Sequence, residues 1–401
     1  METFDCVVVG GGPAGATAAA DLAAAGRSVL LLDRAGRIKP CGGAVPPQLL
    51  ADFDVPESVL CNKVDGARII APSHRKADMP IGNGFVGMVD RGPFDEWLRE
   101  RARGLGAERR TGLFNALEQQ PDGTALVRYK AGRSRGDALA TVRARMVIGA
   151  DGALSAVARQ AMPKVVDEAQ FVFAYHEVVE SPAEQTAEFL QSRCDVYYEG
   201  TLSPDFYAWV FPHGPTTSVG TGSLQQGFAL RRAVAELRAR TGLDRVATIR
   251  EEGAPIPLKP LSRWDNGRNV VLAGDAAGVV APASGEGIFY AMTGGREAAR
   301  AVHEALAEAD GRVLGRARKR FMRRHGLVFR VLDRMQETWY RDDDRRERFV
   351  DICRDVDVQK LTWQGYMYKK LVFARPAAHV RIFLKNIGHL TGIIAPSPQA
   401  A

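Results

Sequence analysis

The chain of 401 residues lacks the marks of several protein classes. It has no run of 18 apolar residues, which argues against a helix that spans a bilayer. Its five cysteines form no C-x-x-C pair and its seven histidines show no metal-ligand spacing, so no metal site and no disulfide framework are expected. The first predicted strand follows Met1 directly, which leaves no room for a secretory signal. A cytoplasmic, reducing location is therefore predicted.

The sequence also contains no internal repeat and no low-complexity linker. Its length allows two or three domains. A hydrophobic content of 46% and a charged content of 25% are ordinary values for a soluble protein, so the chain can bury a sizeable core.

A glycine turn opens the chain. Residues 4–9 are apolar and predict a buried parallel strand, and the sequence GGGPAG follows at residues 10–15. In such a turn the first glycine permits the bend, the second lets backbone N–H groups approach a diphosphate, and the third lets the following helix pack on the strand. The free N–H groups of a helix over residues 13–25 favour an anion. The predicted dinucleotide-binding residues are Gly10, Gly12, Pro13, Ala14 and Gly15.

An acidic residue closes the second predicted strand. Residues 28–32 form that strand, and Asp33 follows about eighteen residues after Gly15, where a carboxylate can bind a ribose 2′-hydroxyl. A carboxylate at this position argues against a 2′-phosphate. The resident nucleotide is therefore expected not to be NADP.

A second nucleotide motif lies more than two hundred residues further on. Residues 270–273 predict a short buried strand, Gly274 allows a turn, and Asp275 can accept hydrogen bonds from ribityl hydroxyls. Gly285, Gly287 and Ile288 predict a helix start whose N–H groups face flavin N1 and O2, where negative charge gathers on reduction. An NAD domain has no need of this motif, so the two motifs together indicate FAD. Asp151, which follows a third strand over residues 147–150, is expected to organise the nucleotide cleft.

The order of motifs predicts an α/β (α+β) fold in which a discontinuous FAD-binding Rossmann domain contains an inserted antiparallel β domain. The FAD domain is expected at 1–60, 90–165 and 262–315, and the β-rich substrate domain at 61–89 and 166–261. A helical C-terminal region is expected at 316–401. Within the FAD domain, a helix over 93–104 is predicted to begin at Pro93.

Aromatic residues alternate along two strands of the predicted β domain. Phe171, Phe173 and Tyr175 share one side of their strand, and Tyr207, Trp209 and Phe211 share one side of theirs. Such residues can form a wall for a large apolar substrate or the core between a sheet and helices. The spacing alone favours the core.

The net charge of +7 is concentrated near the C-terminus. Residues 312–334 are rich in arginine, and the tail 369–394 interleaves basic and apolar residues. A basic amphipathic segment of this kind suits an anionic membrane surface. A solvated helix face packed on its own domain is an equally good interpretation. Nucleic acid is not expected as a partner, because no known binding module accompanies the charge.

Several segments resemble the geranylgeranyl reductase family, a branch of the flavoproteins built like the aromatic hydroxylases. Residues 204–212 (PDFYAWVFP) fit the family's P-x-x-Y-x-W-x-F-P substrate-pocket signature at every fixed position. Arg91 with Phe94-Asp95 resembles the family's cofactor-contacting arginine, and residues 39–43 (KPCGG) resemble its cysteine-glycine turn near the flavin. Residues 366–371 and 388–392 are similar to the chlorophyll and bacteriochlorophyll branch.

The resemblance implies a glutathione-reductase-type FAD domain and an NADPH-dependent reductase that saturates three of the four double bonds of a geranylgeranyl group to give phytyl. The substrate would be a prenylated pigment or free geranylgeranyl diphosphate. The enzyme would lie at the periphery of the photosynthetic inner membrane, in contact with the pigment prenyl-transferring enzyme. The implied substrate-binding residues are Tyr207, Trp209, Phe211, Phe171, Phe173 and Tyr175, with Phe206 and Val210 left in the core. Cofactor contacts are implied for Asp33, Arg34, Cys41, Gly42 and Arg91.

The sequence leaves the proton donor open. Cys41 is the candidate that the resemblance suggests, although a thiol is a weak acid for protonating an alkene, and Tyr207 or water near the Glu286 backbone serves equally well. No second glycine-rich turn is present, so NADPH is expected to dock transiently, and reduced ferredoxin stays an alternative donor. Two other functions fit the FAD motifs: an aromatic or quinone hydroxylase and a non-catalytic flavoprotein scaffold at the membrane.

Overall fold

The structure is a computed structural model that describes residues 1–34, 36, 38–132, 136–167, 169–369, 381–382, 385, 387–389 and 393. Most of the predicted basic tail lies outside the described residues. The strands are β1 (Thr3–Val9), β2 (Val29–Asp33), β3 (Ala44–Val45), β4 (Asn62–Val64), β5 (Gly66–Ile70), β6 (Lys76–Pro80), β7 (Val86–Met88), β8 (Glu108–Gln119), β9 (Ala125–Ala131), β10 (Leu139–Gly149), β11 (Phe171–Glu180), β12 (Arg193–Tyr197), β13 (Ala208–Pro212), β14 (Thr216–Ser223), β15 (Thr248–Pro257) and β16 (Val270–Leu272). The helices are α1 (Pro13–Ala24), α2 (Pro47–Asp52), α3 (Arg91–Gly104), α4 (Ala156–Ala161), α5 (Pro163–Val166), α6 (Leu230–Thr241), α7 (Ile288–Glu308), α8 (Arg316–Trp339), α9 (Asp343–Cys353) and α10 (Val356–Tyr368).

The chain divides into two compact units, each assembled from three segments. The first comprises Met1–Lys39, Arg91–Phe171 and Pro255–Leu327, and the second comprises Pro40–Asp90, Val172–Ala254 and the residues from Val328 onward. The first segment of the nucleotide-binding unit thus ends at Lys39, whereas the sequence predicted 60. The predicted C-terminal region from 316 is helical in its described part, and its first helix, α8, supplies residues to both units.

The first unit is built on a parallel sheet. β1 pairs in parallel with β2 and β10, β2 with β8, and β10 with β16, while β9 pairs antiparallel with β8 and β10. Val7, Val8, Leu31 and Ile148 have no exposed surface, as expected for a sheet that is covered on both faces. Because parallel strands end at the same edge, the turns after β1, β2, β10 and β16 all meet there. Those turns carry the predicted nucleotide motifs.

The helices of the first unit begin close to the predicted residues. α1 starts at Pro13 and α7 at Ile288, as the two glycine motifs predicted. α3 begins at Arg91 rather than Pro93, because proline is tolerated throughout the first turn of a helix, where its missing N–H is not needed. This earlier start places the Arg91 side chain on the helix itself.

The second unit contains a seven-stranded sheet in the order β15-β11-β14-β13-β12-β5-β6. β14 pairs antiparallel with β11 and β13, β12 with β13, and β5 with β6, whereas β12 and β5 pair in parallel. α6 packs on one face of this sheet through Val234 and Leu237, which lie in one core cluster with Val210 and Val219. A separate three-stranded sheet has the order β3-β7-β4. The α/β fold with an antiparallel β-rich unit is therefore confirmed.

Candidate active site

The glycine turn after β1 meets the geometric demands of a dinucleotide site. Gly10 has φ +105, and a Cβ added there or at Gly15 would overlap a backbone carbonyl, which explains why these positions carry no side chain. Gly12 precedes the first turn of α1, and a Cβ at Gly12 would meet no atom within 4 Å. An anion can therefore reach the N–H groups at the start of α1 without steric obstruction.

The fold brings the two distant nucleotide motifs together at α1. A Cβ at Gly274 would lie 2.7 Å from Cβ of Ala14, and a Cβ at Gly295 on α7 would overlap the carbonyl oxygen of Ala14. The turn that carries Asp275 and the helix that starts after Gly287 thus both pack against the first turn of α1. The arrangement fits a long nucleotide that is held at both ends, which is what FAD requires.

Asp275 is a buried acceptor with an ion-pair partner that the sequence did not indicate. Its side chain is 6% exposed and pairs with Nζ of Lys39, whose own side chain is 37% exposed. The carboxylate also lies near Gly287, since a Cβ added there would be 4.0 Å from Oδ1 of Asp275. The residues thus fit a ribityl chain, with the Asp275 carboxylate as acceptor and the Lys39 ammonium as a neighbouring donor.

Arg99 is a site residue that the sequence reasoning missed. Its Nη1 atom lies 3.3 Å from Oδ2 of Asp33 and 3.2 Å from the carbonyl oxygen of Gly11, so it joins the predicted ribose-binding carboxylate to the glycine turn. It also pairs with Glu96. The charged run around Arg99 looks like a solvated helix face in the sequence, and only its position one helix away from Asp33 reveals the role.

Two predicted cofactor contacts, Asp151 and Arg91, have partners within the protein. The Asp151 carboxylate accepts hydrogen bonds from the Ser155 hydroxyl and from the amides of Ala156 and Val157, at the N-terminus of α4. Burial raises the pKa of this carboxyl, and the Ser155 hydrogen bond opposes the shift. Asp151 therefore anchors the N-terminus of α4. The Arg91 guanidinium forms a buried bidentate pair with Asp95, at 2.9 and 2.8 Å, and Arg34 is exposed.

The second unit contains the aromatic wall, which we define as Tyr207, Trp209 and Phe211. Their side chains lie on the face of the sheet opposite α6, with neighbouring ring centroids 6.0 and 6.2 Å apart. A Cβ at Gly220 would overlap the benzo ring of Trp209, so the indole lies flat on strand β14. A Cβ at Gly42 would lie 3.0 Å from Cδ2 of Phe211 and 3.9 Å from Nε1 of Trp209. The predicted Cys41–Gly42 turn therefore packs against the wall.

The second predicted set of aromatic residues does not belong to this wall. Tyr175 lies in the core cluster beneath α6, on the opposite face of the sheet, and its hydroxyl is bonded to Glu177 and Glu251. Phe173 alternates in step with Tyr175 and is 49% exposed. Phe171 lines a small cavity of the first unit with Ser155 and Asp275. A substrate role for Phe171, Phe173 and Tyr175 stays a prediction, while Phe206 and Val210 are buried as expected.

His213 is a second residue that the sequence reasoning missed. Its Nδ1 atom donates to the carbonyl oxygen of Phe211 at 2.9 Å, and a Cβ at Gly43 would overlap its Nε2 atom. Burial lowers the pKa of His213 to about 4, so the ring is neutral at pH 7. It follows the wall signature directly in the sequence, but as a single histidine it gave no pattern to recognise.

Substitution of His213 by asparagine is expected to make the free energy of unfolding less dependent on pH below about 6.5. The folded pKa lies below the unfolded value near 6.5, so the unfolded state binds more protons and stability falls as pH drops from about 6.5 to about 4. The shift corresponds to roughly 3 kcal/mol, and asparagine keeps a donor for Phe211 without titrating. Urea unfolding at pH 7 and pH 4.5 measures the difference. His74→Asn, at an exposed residue with φ +63 that asparagine tolerates, is the control, and an unchanged pH slope in His213→Asn would contradict the assignment.

Comparison with known proteins agrees with this geometry. A model of the FAD binding domain matches residues 83–334, and one of the NAD(P)-binding Rossmann-like domain matches residues 8–55. A geranylgeranyl diphosphate reductase of Rhodobacter capsulatus is 53% identical over 394 residues, which is 98% of this chain and 99% of that protein. The chain belongs to the geranylgeranyl reductase family. A geranylgeranyl diphosphate reductase of Synechocystis is 36% identical, with 96% of this chain and 97% of the relative covered.

A solved structure extends the family relationship to the fold. The geranylgeranyl bacteriochlorophyll reductase-like protein of Thermoplasma acidophilum superposes with a TM-score of 0.80 at 26% identity, and the match covers 92% of this chain and 98% of that one. As a member of this family the chain is a flavoprotein oxidoreductase with FAD as cofactor and NADPH as electron donor, in agreement with the two domain matches. The NAD(P)-type match falls on the same glycine turn as the FAD motif, so it marks the FAD site. Among the described residues, no group of three or more His, Cys, Asp or Glu side chains could hold a metal ion.

Proposed function

We propose that this reductase saturates three isolated double bonds of a geranylgeranyl group, carried by a pigment ester or a diphosphate, to give phytyl. The packing of the Cys41–Gly42 turn against Trp209 and Phe211 carries the proposal, because the turn brings a cysteine side chain close to the aromatic wall. Within the first unit, Lys39 pairs with Asp275 of the second nucleotide motif.

The reaction needs stabilisation of positive charge. Each reduction adds a hydride and a proton across a C=C bond, so one alkene, one NADPH and one proton give one alkane unit and NADP⁺. The hydride would come from bound flavin that NADPH has first reduced. An isolated trisubstituted alkene is not electrophilic, and protonation of one carbon gives the other tertiary cationic character. The faces of Tyr207, Trp209 and Phe211 can stabilise such a charge by cation–π attraction.

The wall also accounts for binding. A twenty-carbon prenyl chain that leaves water gains roughly 0.8 kcal/mol for each buried CH₂ group. Affinity therefore requires no charged contact along the tail, and the apolar side chains of the wall are sufficient. Burial of the tail does not distinguish one headgroup from another. A pigment ester and a diphosphate would therefore differ only in their contacts outside the wall.

We propose Cys41 as the proton donor, because its turn packs against the wall. The amide N–H of Gly43 points to Sγ of Cys41, with a donor–acceptor distance of 3.4 Å. Tyr207, in the same wall, is the second candidate, and its role is tested by Tyr207→Phe.

Substitution of Cys41 by alanine is expected to leave FAD bound and to lower turnover about 100-fold, a typical contribution of a positioned general acid. Flavin absorbance and steady-state turnover measure the two properties separately. Cys61→Ala removes an exposed thiol and is the matched control. Turnover at the wild-type rate in Cys41→Ala, together with a loss in Tyr207→Phe, would transfer the role to Tyr207.

The finer choice of substrate is tested by competition. The purified flavoprotein is offered geranylgeranyl diphosphate and a geranylgeranylated pigment ester in equal concentration, and the products are separated by mass. If the pigment ester is the substrate, its mass increases by two, four and six hydrogens while the diphosphate stays unchanged. The reverse result assigns the diphosphate.

We also propose that the protein binds the membrane surface through α8. The exposed side of this helix carries Arg316, Lys319, Arg323, Arg324, Arg330 and Arg334 around the exposed side chains of Leu327 and Val331. Basic and apolar side chains on one helix face suit anionic headgroups. No helix in the described part of the chain combines the length and apolar character that crossing a bilayer requires. Surface binding would also bring the enzyme near the one that attaches the prenyl group.

Charge reversal on α8 is expected to release the protein from anionic vesicles. Lys319→Glu, Arg323→Glu and Arg330→Glu together should lower the fraction that sediments with phosphatidylglycerol vesicles at least tenfold, since each basic residue contributes about 1 kcal/mol near an anionic surface. The control reverses three exposed arginines elsewhere, Arg103, Arg231 and Arg263, with the same change in net charge. Equal loss in both triple variants would show that only net charge matters.

A further inference from the structure

A line of polar side chains runs across four neighbouring strands of the large sheet, on the face of the aromatic wall. Trp209 is on β13, Ser218 on β14, His176 on β11 and Glu252 on β15. Nε1 of Trp209 lies 3.1 Å from Oγ of Ser218, Oγ lies 2.9 Å from Nδ1 of His176, and Nε2 of His176 lies 3.0 Å from Oε2 of Glu252. Ser218 and His176 are buried, so the hydrogen bonds are shielded from water except at Glu252, whose side chain is 14% exposed.

The strand register places these groups under the indole. Trp209 pairs with Gly220, and Gly220 pairs with His176 on the next strand. The benzo ring of Trp209 lies over Gly220, its N–H reaches Ser218 two residues away on the same face, and its ring centroid is 6.3 Å from that of His176. The indole is thus fixed at both ends.

The direction of the hydrogen bonds follows from the chemistry of their ends. An indole N–H can only donate, so Oγ of Ser218 accepts its hydrogen. The Ser218 hydroxyl can then donate to Nδ1 of His176, and the Nε2–H of His176 donates to the Glu252 carboxylate. Nε of Arg250 lies 2.9 Å from the other oxygen of Glu252, which favours the charged carboxylate. All donors therefore point away from the indole and toward a negative charge.

We propose that Ser218, His176 and Glu252 are positioning residues that hold the Trp209 ring and increase its electron density. The inference rests on the proposed function, in which that ring faces a developing cation. Hydrogen bonding from an indole N–H to an acceptor moves electron density onto the ring, and an electron-rich ring attracts a cation more strongly. A buried His–Glu pair costs desolvation that an apolar pair of the same size would avoid, so packing alone does not account for these residues.

The test combines turnover with a readout of the resting enzyme. Ser218→Ala, His176→Leu and the isosteric Glu252→Gln are made in the wild type and in Trp209→Phe. We expect kcat to fall about 10- to 50-fold in the first two variants and about fivefold in Glu252→Gln, with KM within about threefold and FAD retained. The Trp209 contribution to fluorescence, obtained as the difference from Trp209→Phe, should shift in all three.

In the Trp209→Phe background the three substitutions should have little further effect, because phenylalanine has no N–H to engage the line. An equal loss of kcat in both backgrounds would overturn the proposal, and so would a wild-type kcat in His176→Leu and Ser218→Ala. The fluorescence measurement needs no turnover. If the wild type fails to reduce an alkene, the proposed function fails, while an unshifted Trp209 signal would independently refute the hydrogen-bonded line.

Discussion

Gly220→Ala is expected to lower turnover at least about 100-fold while the protein keeps its FAD. A methyl group at residue 220 would overlap the benzo ring of Trp209, and the strand beneath it cannot retreat because Gly220 is paired on both sides with Trp209 and His176. The indole must therefore tilt away from the strand. A displacement of about 1 Å at a reacting centre costs roughly two orders of magnitude in rate.

The matched control is Gly66→Ala in the same sheet. A Cβ at Gly66 would meet its nearest atom at 3.4 Å, an ordinary van der Waals distance, so activity should stay close to wild type. Flavin content, near-ultraviolet circular dichroism and turnover are measured for both variants. A Gly220→Ala enzyme that turns over normally would show that the position of the Trp209 ring is irrelevant to the reaction.

Gly295→Ala is expected to yield protein without flavin. The added methyl group would overlap the backbone oxygen of Ala14, and neither α1 nor α7 can relieve the clash by rotating a side chain. The two helices must separate, which pulls the Asp275 turn away from the glycine turn. Overpacking of this kind costs roughly 1–3 kcal/mol or more, so a lower melting temperature should accompany the loss of colour.

Its neighbour on the same helix provides the control. A Cβ at Gly294 would lie 3.5 Å from the nearest atom, the amide nitrogen of Gly274, and alanine is a better helix former than glycine by up to about 1 kcal/mol. Gly294→Ala should therefore stay yellow and be at least as stable as wild type. If Gly295→Ala also stays yellow with the wild-type flavin content, the packing of α7 on α1 does not determine the nucleotide site.

The local part of the site could be predicted from the sequence because its chemistry is encoded in short segments. The glycine turn, Asp275 and the start of α7 depend on backbone conformations that glycine permits, and these conformations are fixed within a few residues. The resemblance then supplied the aromatic wall. What these segments do not encode is which distant side chain completes each of them, as Arg99 does for Asp33 and Lys39 for Asp275.

The face of the sheet on which Tyr175 lies could not be predicted, for a different reason. Alternation shows that Phe171, Phe173 and Tyr175 share a side of their strand, but not which face of the sheet that side becomes. That choice depends on register with β14, where His176 rather than Tyr175 lies on the side of Trp209. The hydrogen bonds of Asp151 to α4 were not predicted for a related reason, because a carboxylate after a strand can cap the next helix as readily as bind a ligand. The sequence of a strand does not identify the neighbouring strand or helix that decides these contacts.

The most direct test of the account is anaerobic NADPH oxidation by the purified yellow protein in the presence of a geranylgeranylated substrate, with the product followed by mass. The account predicts stepwise gains of two, four and six hydrogens, with one NADPH consumed for each pair. Consumption of NADPH that requires oxygen and leaves the prenyl mass unchanged, or no consumption at all, would contradict it.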